Sequence, residues 1–177
     1  MSDQLKTTLT FTLLLVIIGG CGYGEKPDSI SEQDKTEKLE IEKKNRLISI
    51  VQTYVRAIKE KDFSMIPYAD SATLRSPLTQ KGVSVQLKGK ESLFNDWWKP
   101  LVLTPNAKEV VFEVTDYYFN SALTGIIAEM VVTDHNFDPP VTLWVADRFA
   151  LNEKGELIDQ INHFDVRDAL TPGWQND

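Results

Sequence analysis

Between Leu47 and Ile58 the apolar residues fall three and four apart: Leu47, Val51, Tyr54, Val55 and Ile58. That spacing gathers them on one stripe of a helix ending near Lys61. A short second helix is predicted over residues 63–68, with Asp62 as its N-cap. The segment "ATLRS" then reads as a short strand halted at Pro77, and the alternation of "VSVQL" predicts another. Gly89 precedes "KESLFNDWWKPL", a third helix bounded by Pro100. Beyond it the helical period gives way to β-branched and aromatic runs: "EVVFEVTDYYF", "ALTGIIAEMVVTD", "VTLWVADRFAL" and "ELIDQINHFD". Turn signals separate them at Asn120-Ser121 and over residues 135–140 and 152–155. Helices followed by an antiparallel meander make an α+β domain, because the sheet needs its apolar face covered and the early helices are the available cover. Long strands twist, so the expected shape is a curved antiparallel sheet wrapped around N-terminal helices, a cone with a pocket inside.

Upstream the pattern is different. Residues 22–38, "GYGEKPDSISEQDKTEK", hold almost no apolar side chains and read as a polar tether. The far end of this tether already carries good helix formers. Before it, "LTFTLLLVII" (Leu9 to Ile18) follows a polar segment containing Lys6. This run has the length of a signal-peptide core and is too short for a spanning helix of about 20 residues. Gly19, Gly20 and Cys21 come next, and "IGGC" resembles the lipobox of bacterial lipoproteins. The resemblance implies cleavage before Cys21 and acylation of its thiol and amine, palmitate included. With Gly22 rather than Asp after the cysteine, it also implies sorting to the outer membrane, periplasmic side, in a cell that has one. The expected organisation is a signal peptide (1–20), a lipidated cysteine with its tether (21–38), a folded domain (39–170) and a tail (171–177). The chain would then be extracytoplasmic and held to a membrane through the lipid on Cys21.

Composition narrows the chemistry. One cysteine allows no intramolecular disulfide and no thiolate cage, and two histidines, His135 and His163, argue against a multi-histidine metal site. A formal charge of −7 without a basic stripe excludes a nucleic-acid surface. Removing residues 1–20 takes away Asp3 and Lys6 together, so the remainder stays at −7 and is not drawn to an anionic membrane by its own charge. Asp134 and Asp138 lack the glycine and glutamate of a calcium loop, so no metal is expected there, and no cofactor is implied.

The order of elements, with "VQTYVRAIKEKD", "YADSATLRSP", "GKESLFNDWW" and "VADRFALNEKGELIDQINHFD" in sequence, resembles the nuclear-transport-factor-2-like superfamily over about 47–170. That superfamily, a cystatin-like roll, includes SnoaL-like polyketide cyclases, steroid Δ5-3-ketoisomerases and binding modules without chemistry. Matched to the isomerases, the first-helix tyrosine falls on Tyr54 in "VQTYV", and the protonated aspartate of the oxyanion hole on Asp147 in "VADRF". The general-base position falls on Ser76 in "LRSP", and a serine hydroxyl without an activating partner is too weak a base to replace a carboxylate. The resemblance also points Trp97 towards the pocket.

Strand parity sorts the remaining candidates. A four-residue turn at 152–155 pairs Leu151 with Glu156, Phe149 with Ile158, Asp147 with Gln160, Val145 with Asn162, and Leu143 with Phe164. The eight residues of the last four pairs share a face that is apolar except for one carboxyl and two amides, as a pocket wall would be. Among Val145, Phe149 and Phe164, the Asp147 carboxyl should hold its proton, with Tyr54 beside it. The plainer alternative is a carboxyl hydrogen-bonded to Gln160 or to backbone in a polar spot of the core. The opposite face receives Trp144, Ala146, Arg148, Leu157, Asp159, Ile161, His163 and Asp165, with Arg148 expected against Asp159. Trp144, Leu157 and Ile161 make that face apolar enough for a homodimer. Trp97 and Trp98 stand about 100° apart on an α-helix. Either Trp97 enters the pocket while Trp98 packs on the sheet, or both are core. Glu129, in an apolar strand, is expected opposite Phe112 as a carboxylate that Ser76 does not provide. The resulting expectation is a tethered protein whose pocket binds a small, mainly apolar ligand or a partner. An isomerase, cyclase or dehydratase using Asp147 and Tyr54 is the first alternative, and a structural envelope accessory with a filled pocket is the second.

Overall fold

The computed structural model describes residues 31–79, 82–103, 109–136 and 138–164. The unit that begins at Glu32 holds every element below. The expected signal peptide, Cys21, residues 22–30 of the tether, Asp165 and the tail lie outside the described residues.

Helix α1 (Glu32–Glu60) starts seven residues before the expected domain boundary and buries Leu47, Ile50, Val51, Tyr54 and Ala57. This is the predicted stripe, extended at both edges. Ahead of Leu47 the helix touches little, and except for Lys44 residues 32–46 are exposed. The helix ends in a Schellman motif: Lys61 N–H bonds Ile58 O at 3.2 Å and Asp62 N–H bonds Ala57 O at 3.0 Å. The position that usually holds glycine holds Lys61, at φ 56°. Asp62 then caps a turn, accepting the Ser64 N–H at 2.9 Å. The cap is where it was expected, but the helix after it is only a 3₁₀ turn, Phe63–Met65. Strand β1 (Tyr68–Arg75) has already begun where the helix was expected to end.

The segment "VSVQL" is not the strand its alternation suggested. Gly82–Ser84 forms a 3₁₀ turn, and only β2 (Leu87–Lys88) pairs, with β1. A helical segment follows: α2 (Lys90–Leu93), a π-helical turn (Phe94–Trp98) and α3 (Lys99–Val102). The Lys99 N–H reaches back five residues to Phe94 O. This wide turn lies just before Pro100, whose ring lacks an N–H and crowds the carbonyl four residues earlier. Widening the helix also changes the angle between neighbours, so Trp97 and Trp98 are both buried. Of the two arrangements open to them, both are core. Phe63 contacts Trp98, Phe94 and Tyr68 with ring centroids 5.4–5.5 Å apart.

Strands β3 (Val110–Phe119), β4 (Gly125–Asp134), β5 (Val141–Leu151) and β6 (Leu157–Phe164) form the expected antiparallel meander. The complete sheet runs β2-β1-β6-β5-β4-β3, with β1 parallel to β6, so it is mixed rather than wholly antiparallel. It is curved, open at both edges, and its inner face packs on α1. Within the meander, two irregularities set which residues face inward. One, between Val114 and Asp116, places Asp116 opposite Glu129, while Phe112 pairs with Val132. The other lies at Ala150/Leu151, where Leu151 pairs with Leu157 and Phe149 with Gln160. Ile158 is therefore turned outward and Leu157 inward, the reverse of the expectation, and Leu157 is fully buried. Beyond the bulge each residue of β6 is displaced by two, which preserves its face, and Asp147 lies opposite Asn162. Arg148 and Asp159 form an ion pair, diagonally rather than directly opposite.

Gly155, at φ +81°, closes this hairpin against α1; a Cβ there would lie 1.7 Å from Arg46 Nη2. Removing a buried aromatic here should far outweigh removing an exposed one. Urea denaturation should show Trp98→Ala lowering stability by about 3–5 kcal/mol, whereas Trp144→Ala, at a residue 73% exposed, changes it by roughly 0.5 kcal/mol or less. Comparable losses in both variants would contradict this core.

Candidate functional site

Asp147 is central to the site. Alternation along β5 turns it inward with Val145 and Phe149, and it is only 2% exposed. Burial raises its pKa from 3.8 to about 7, partly opposed by hydrogen bonding from Asn162 and Tyr54. Among the described residues its Oδ1 has no hydrogen-bond partner, and neither have the buried Asn162 Oδ1, Gln160 Nε2 and Trp98 Nε1. Unpaired buried polar atoms are costly and uncommon, and of these four residues Asp147 is the one that lines a cavity, where a polar group could enter.

Tyr54 reaches Asp147 from α1. Its hydroxyl is held well above the ordinary tyrosine value, first by burial, then by the neighbouring Asp147 and Tyr68. Tyr68 is raised for the same leading reason, and its hydroxyl donates to Gln160 Oε1. Both tyrosines thus remain proton donors at neutral pH. Trp97 stacks on the Tyr54 ring at 6.3 Å with an interplanar angle of 11°, and Phe149 meets it edge-on at 5.2 Å. These contacts fix the tyrosine relative to the carboxyl.

Asp147 opens into a cavity of about 440 Å³, within the size range of small-molecule sites. Its sheet wall is Val110 and Phe112 of β3, Val132 of β4, Leu143 and Val145 of β5, and Phe164 of β6. Ile58 of α1, Leu78, and Leu101 and Val102 of α3 close the helical side. Charge is confined to the rim, at Lys59, Lys61, Glu109 and Asp134. Asp134 Oδ1 accepts the Asn136 backbone N–H at 2.8 Å and its side-chain amide at 2.7 Å. A second depression, of about 650 Å³, lies over Asp70, Lys88, Lys90 and Glu91. It is shallow and polar, crossed by an exposed Lys90–Asp70 ion pair at 3.0 Å, and no buried group points into it.

Of the residues expected to line the pocket, Asp147, Val145 and Phe164 do so. Tyr54, Trp97, Phe149, Gln160 and Asn162 are buried but do not line it, because the ring stack over Phe149 fills that end of the cone. Ser76 is fully buried, and its Oγ accepts the Leu78 N–H at 3.3 Å within the turn after β1. Glu129 is corrected outright. It is exposed on the outer face, opposite Asp116 and Ala146, because the β3 bulge and the Asn120–Thr124 loop set a different register from the one assumed. His163 is exposed on that same outer face. The wall residues of β3 and β4 were readable as alternating apolar positions. The helix-end residues Lys59 and Lys61 had no such signal.

The sequence matches no protein-family model and no curated protein. Solved structures do match. A Δ5-3-ketosteroid isomerase from Mycobacterium sp. superposes with a TM-score of 0.54 at 12% identity, over 68% of this chain and 94% of that one. A Mycobacterium tuberculosis protein in complex with estradiol-17β-hemisuccinate gives 0.54 at 16%, over 68% and 95%. An epoxide hydrolase/cyclase-like enzyme of pyran-ring formation in polyether salinomycin gives 0.53 at 18%, over 77% and 96%. At such identities the shared property is the fold, and it serves several chemistries.

The Asp147 shift has a consequence for stability. Below pH 3.8 both folded and unfolded chains hold the proton, and the residue exerts no penalty. As pH rises from there to about 7, the unfolded chain releases it while the folded chain keeps it, so stability falls. The loss levels off above pH 7 at roughly 4 kcal/mol. Denaturation at a series of pH values should show this slope in the wild type and its absence in Asp147→Asn. The same slope in both would assign it to other groups.

Proposed function

We propose that this chain, which has the nuclear-transport-factor-2-like fold, is an extracytoplasmic binding protein, tethered through lipid on Cys21, that holds a small, mainly apolar ligand in its cone. The observation that carries this reading is the cavity itself: apolar walls around one buried carboxyl with an unpartnered oxygen. A ligand oxygen placed there removes a desolvation penalty that the free protein bears. The open cavity also speaks against an accessory whose own aromatics fill the cone. Steroid-like compounds are suitable trial ligands, since a fold neighbour is seen with an estradiol ester and another is a ketosteroid isomerase.

Catalysis by Asp147 and Tyr54 is the second reading, favoured by a carboxyl whose pKa of about 7 suits proton transfer. Binding is preferred over it because, among the described residues, no second carboxylate adjoins Asp147: Ser76 stands at the base position, Glu129 is outside, and Asp134 and Glu109 are at the rim. The exposed Trp144, with Tyr118 and Ile127 on the same outer face, supports a homodimer through the sheet. Ile158, rather than Leu157, is the exposed residue at its β6 end.

Native mass spectrometry of the purified domain should reveal a retained small molecule, absent from a Val145→Trp variant whose cavity is filled. An identical ligand-free mass in both, with no uptake of added steroid, would remove the binding reading. Replacing Cys21 by serine should move the chain from the membrane pellet to the soluble fraction and abolish palmitate labelling. A variant that still pellets and labels would refute the anchor. Trp144→Glu should halve the sedimenting mass if the sheet face pairs two copies.

A further inference from the structure

The mouth of the cavity carries two lysines and two carboxylates and so selects no charge; the floor does. Tyr54 and Asn162 both donate hydrogen bonds to the Asp147 carboxyl. Its Oδ1 has no partner among the described residues, so both donors act on the other oxygen. Hydrogen bonds of this kind favour the charged form of the group that receives them. Among the described residues nothing answers that charge: the influences on Asp147 are burial, Asn162 and Tyr54, with no lysine, arginine or histidine. A buried carboxylate without a cation is among the costlier things a fold can hold.

The neighbouring amide points the same way. Asn162 lies directly opposite Asp147 across β5 and β6, where facing Cβ atoms are about 4.5–5.5 Å apart. Its amide N–H is turned to the carboxyl, and its own Oδ1 is buried without a donor among the described residues. Two adjacent acceptors therefore lack hydrogens, and one of them, on Asp147, is at the cavity wall. The unpaired donors are elsewhere. Gln160 is opposite Phe149, Trp98 packs on Phe63, and neither lines the cavity. A carbonyl brings no hydrogen to such a place and a hydroxyl brings one. A primary ammonium brings three, and the missing charge with them.

Building on the binding reading above, we propose that the ligand is a primary amine on an apolar body, its ammonium seated at the floor on Asp147 Oδ1 and Asn162 Oδ1. The apolar part then fills the space between Val110, Phe112, Leu143 and Val145, and the amine end enters first. An amine of ordinary strength stays charged to about pH 10, so the pH dependence of its binding is that of the carboxyl. The titratable groups facing Asp147 are Tyr54 from α1 and Tyr68 from β1, both held neutral. Strand β4 sets Ala128 against it, and the rim adds Lys59, Lys61, Glu109 and Asp134. Asp147 must release its proton to take the ammonium, so amine binding strengthens as pH rises towards 7 and is level above it.

Three probes that share one body test this: 4-phenylcyclohexylamine, 4-phenylcyclohexanol and 4-phenylcyclohexanone. Titration calorimetry on the wild type above pH 7 should give binding about tenfold tighter for the amine than for the alcohol or the ketone. Below pH 7 the amine should weaken by about tenfold per pH unit, while the other two do not weaken. Asp147→Asn should bind the three alike, whereas Glu109→Gln/Asp134→Asn should keep the preference. Equal binding of the three by the wild type, or a preference lost in the rim variant and kept in Asp147→Asn, would overturn the amine and leave the pocket reading standing. If no probe binds the wild type, or if Val145→Trp binds them as well as the wild type does, both readings fall together.

Discussion

The inner face of the sheet has to be covered, and the helix that covers it is too short. The buried part of α1, from Leu47 to Ile58, extends about 18 Å at 1.5 Å per residue. Strand β5, with eleven residues, extends about 36 Å. At one end Tyr54, Trp97 and Phe149 close the gap with stacked rings. At the other, past Ile58, nothing of comparable size arrives among the described residues, and the uncovered stretch of β3, β4 and β5 becomes the cavity wall. The site is thus the difference between two element lengths. Asp147 lies at the transition, covered by Tyr54 on one side and open to the cavity on the other.

That position accounts for the chemistry at Asp147. A carboxyl deeper among the rings would have no ligand to meet, and one nearer the rim would be hydrated and fully ionised at neutral pH. Between them, it keeps two polar neighbours, Tyr54 and Asn162, without being neutralised by a cation. A neutral acid in such a place can donate to a carbonyl or accept from a hydroxyl, which suits a family of related ligands rather than one. The same floor could serve a binding protein or an enzyme.

Much of this was legible in the residues, and the failures have local causes. The stripe of α1, the meander, and the inward placement of Asp147, Gln160 and Asn162 followed from periodicity, which survives small errors of register. A displacement by two residues leaves a side chain on the same face, so the wrong turn at 152–155 did no harm to Asn162. A displacement by one exchanges faces, and a bulge does this without any conspicuous residue to announce it. The exchange of Leu157 with Ile158 is of that kind, and at Glu129 a shift of three, which places Val132 opposite Phe112, has the same odd parity. For the two tryptophans, of the two arrangements left open the one with both in the core holds, and Pro100, three and two residues on, is a visible reason for the helix to depart from uniform pitch. Lys59 and Lys61 were invisible for another reason: where a helix stops relative to a sheet is a tertiary fact, and no periodicity records it.

Residues 32–46, which open α1 and are all exposed but Lys44, belong to the same helix as Tyr54 but not to the same cooperative unit. Their hydrogen bonds are local, as in the Lys35–Glu32 pair at 2.6 Å and the Thr36 hydroxyl on Glu32 O at 2.9 Å, and surface pairs of this kind contribute only tenths of a kcal/mol. Opening of this half has little to overcome, while opening beyond Leu47 must dismantle the core. The first turns can therefore fray, be cut, or change sequence without the floor of the cone registering it. Arg46, lying against Gly155, marks the boundary: upstream of it the helix is replaceable, and downstream it is part of the packed core.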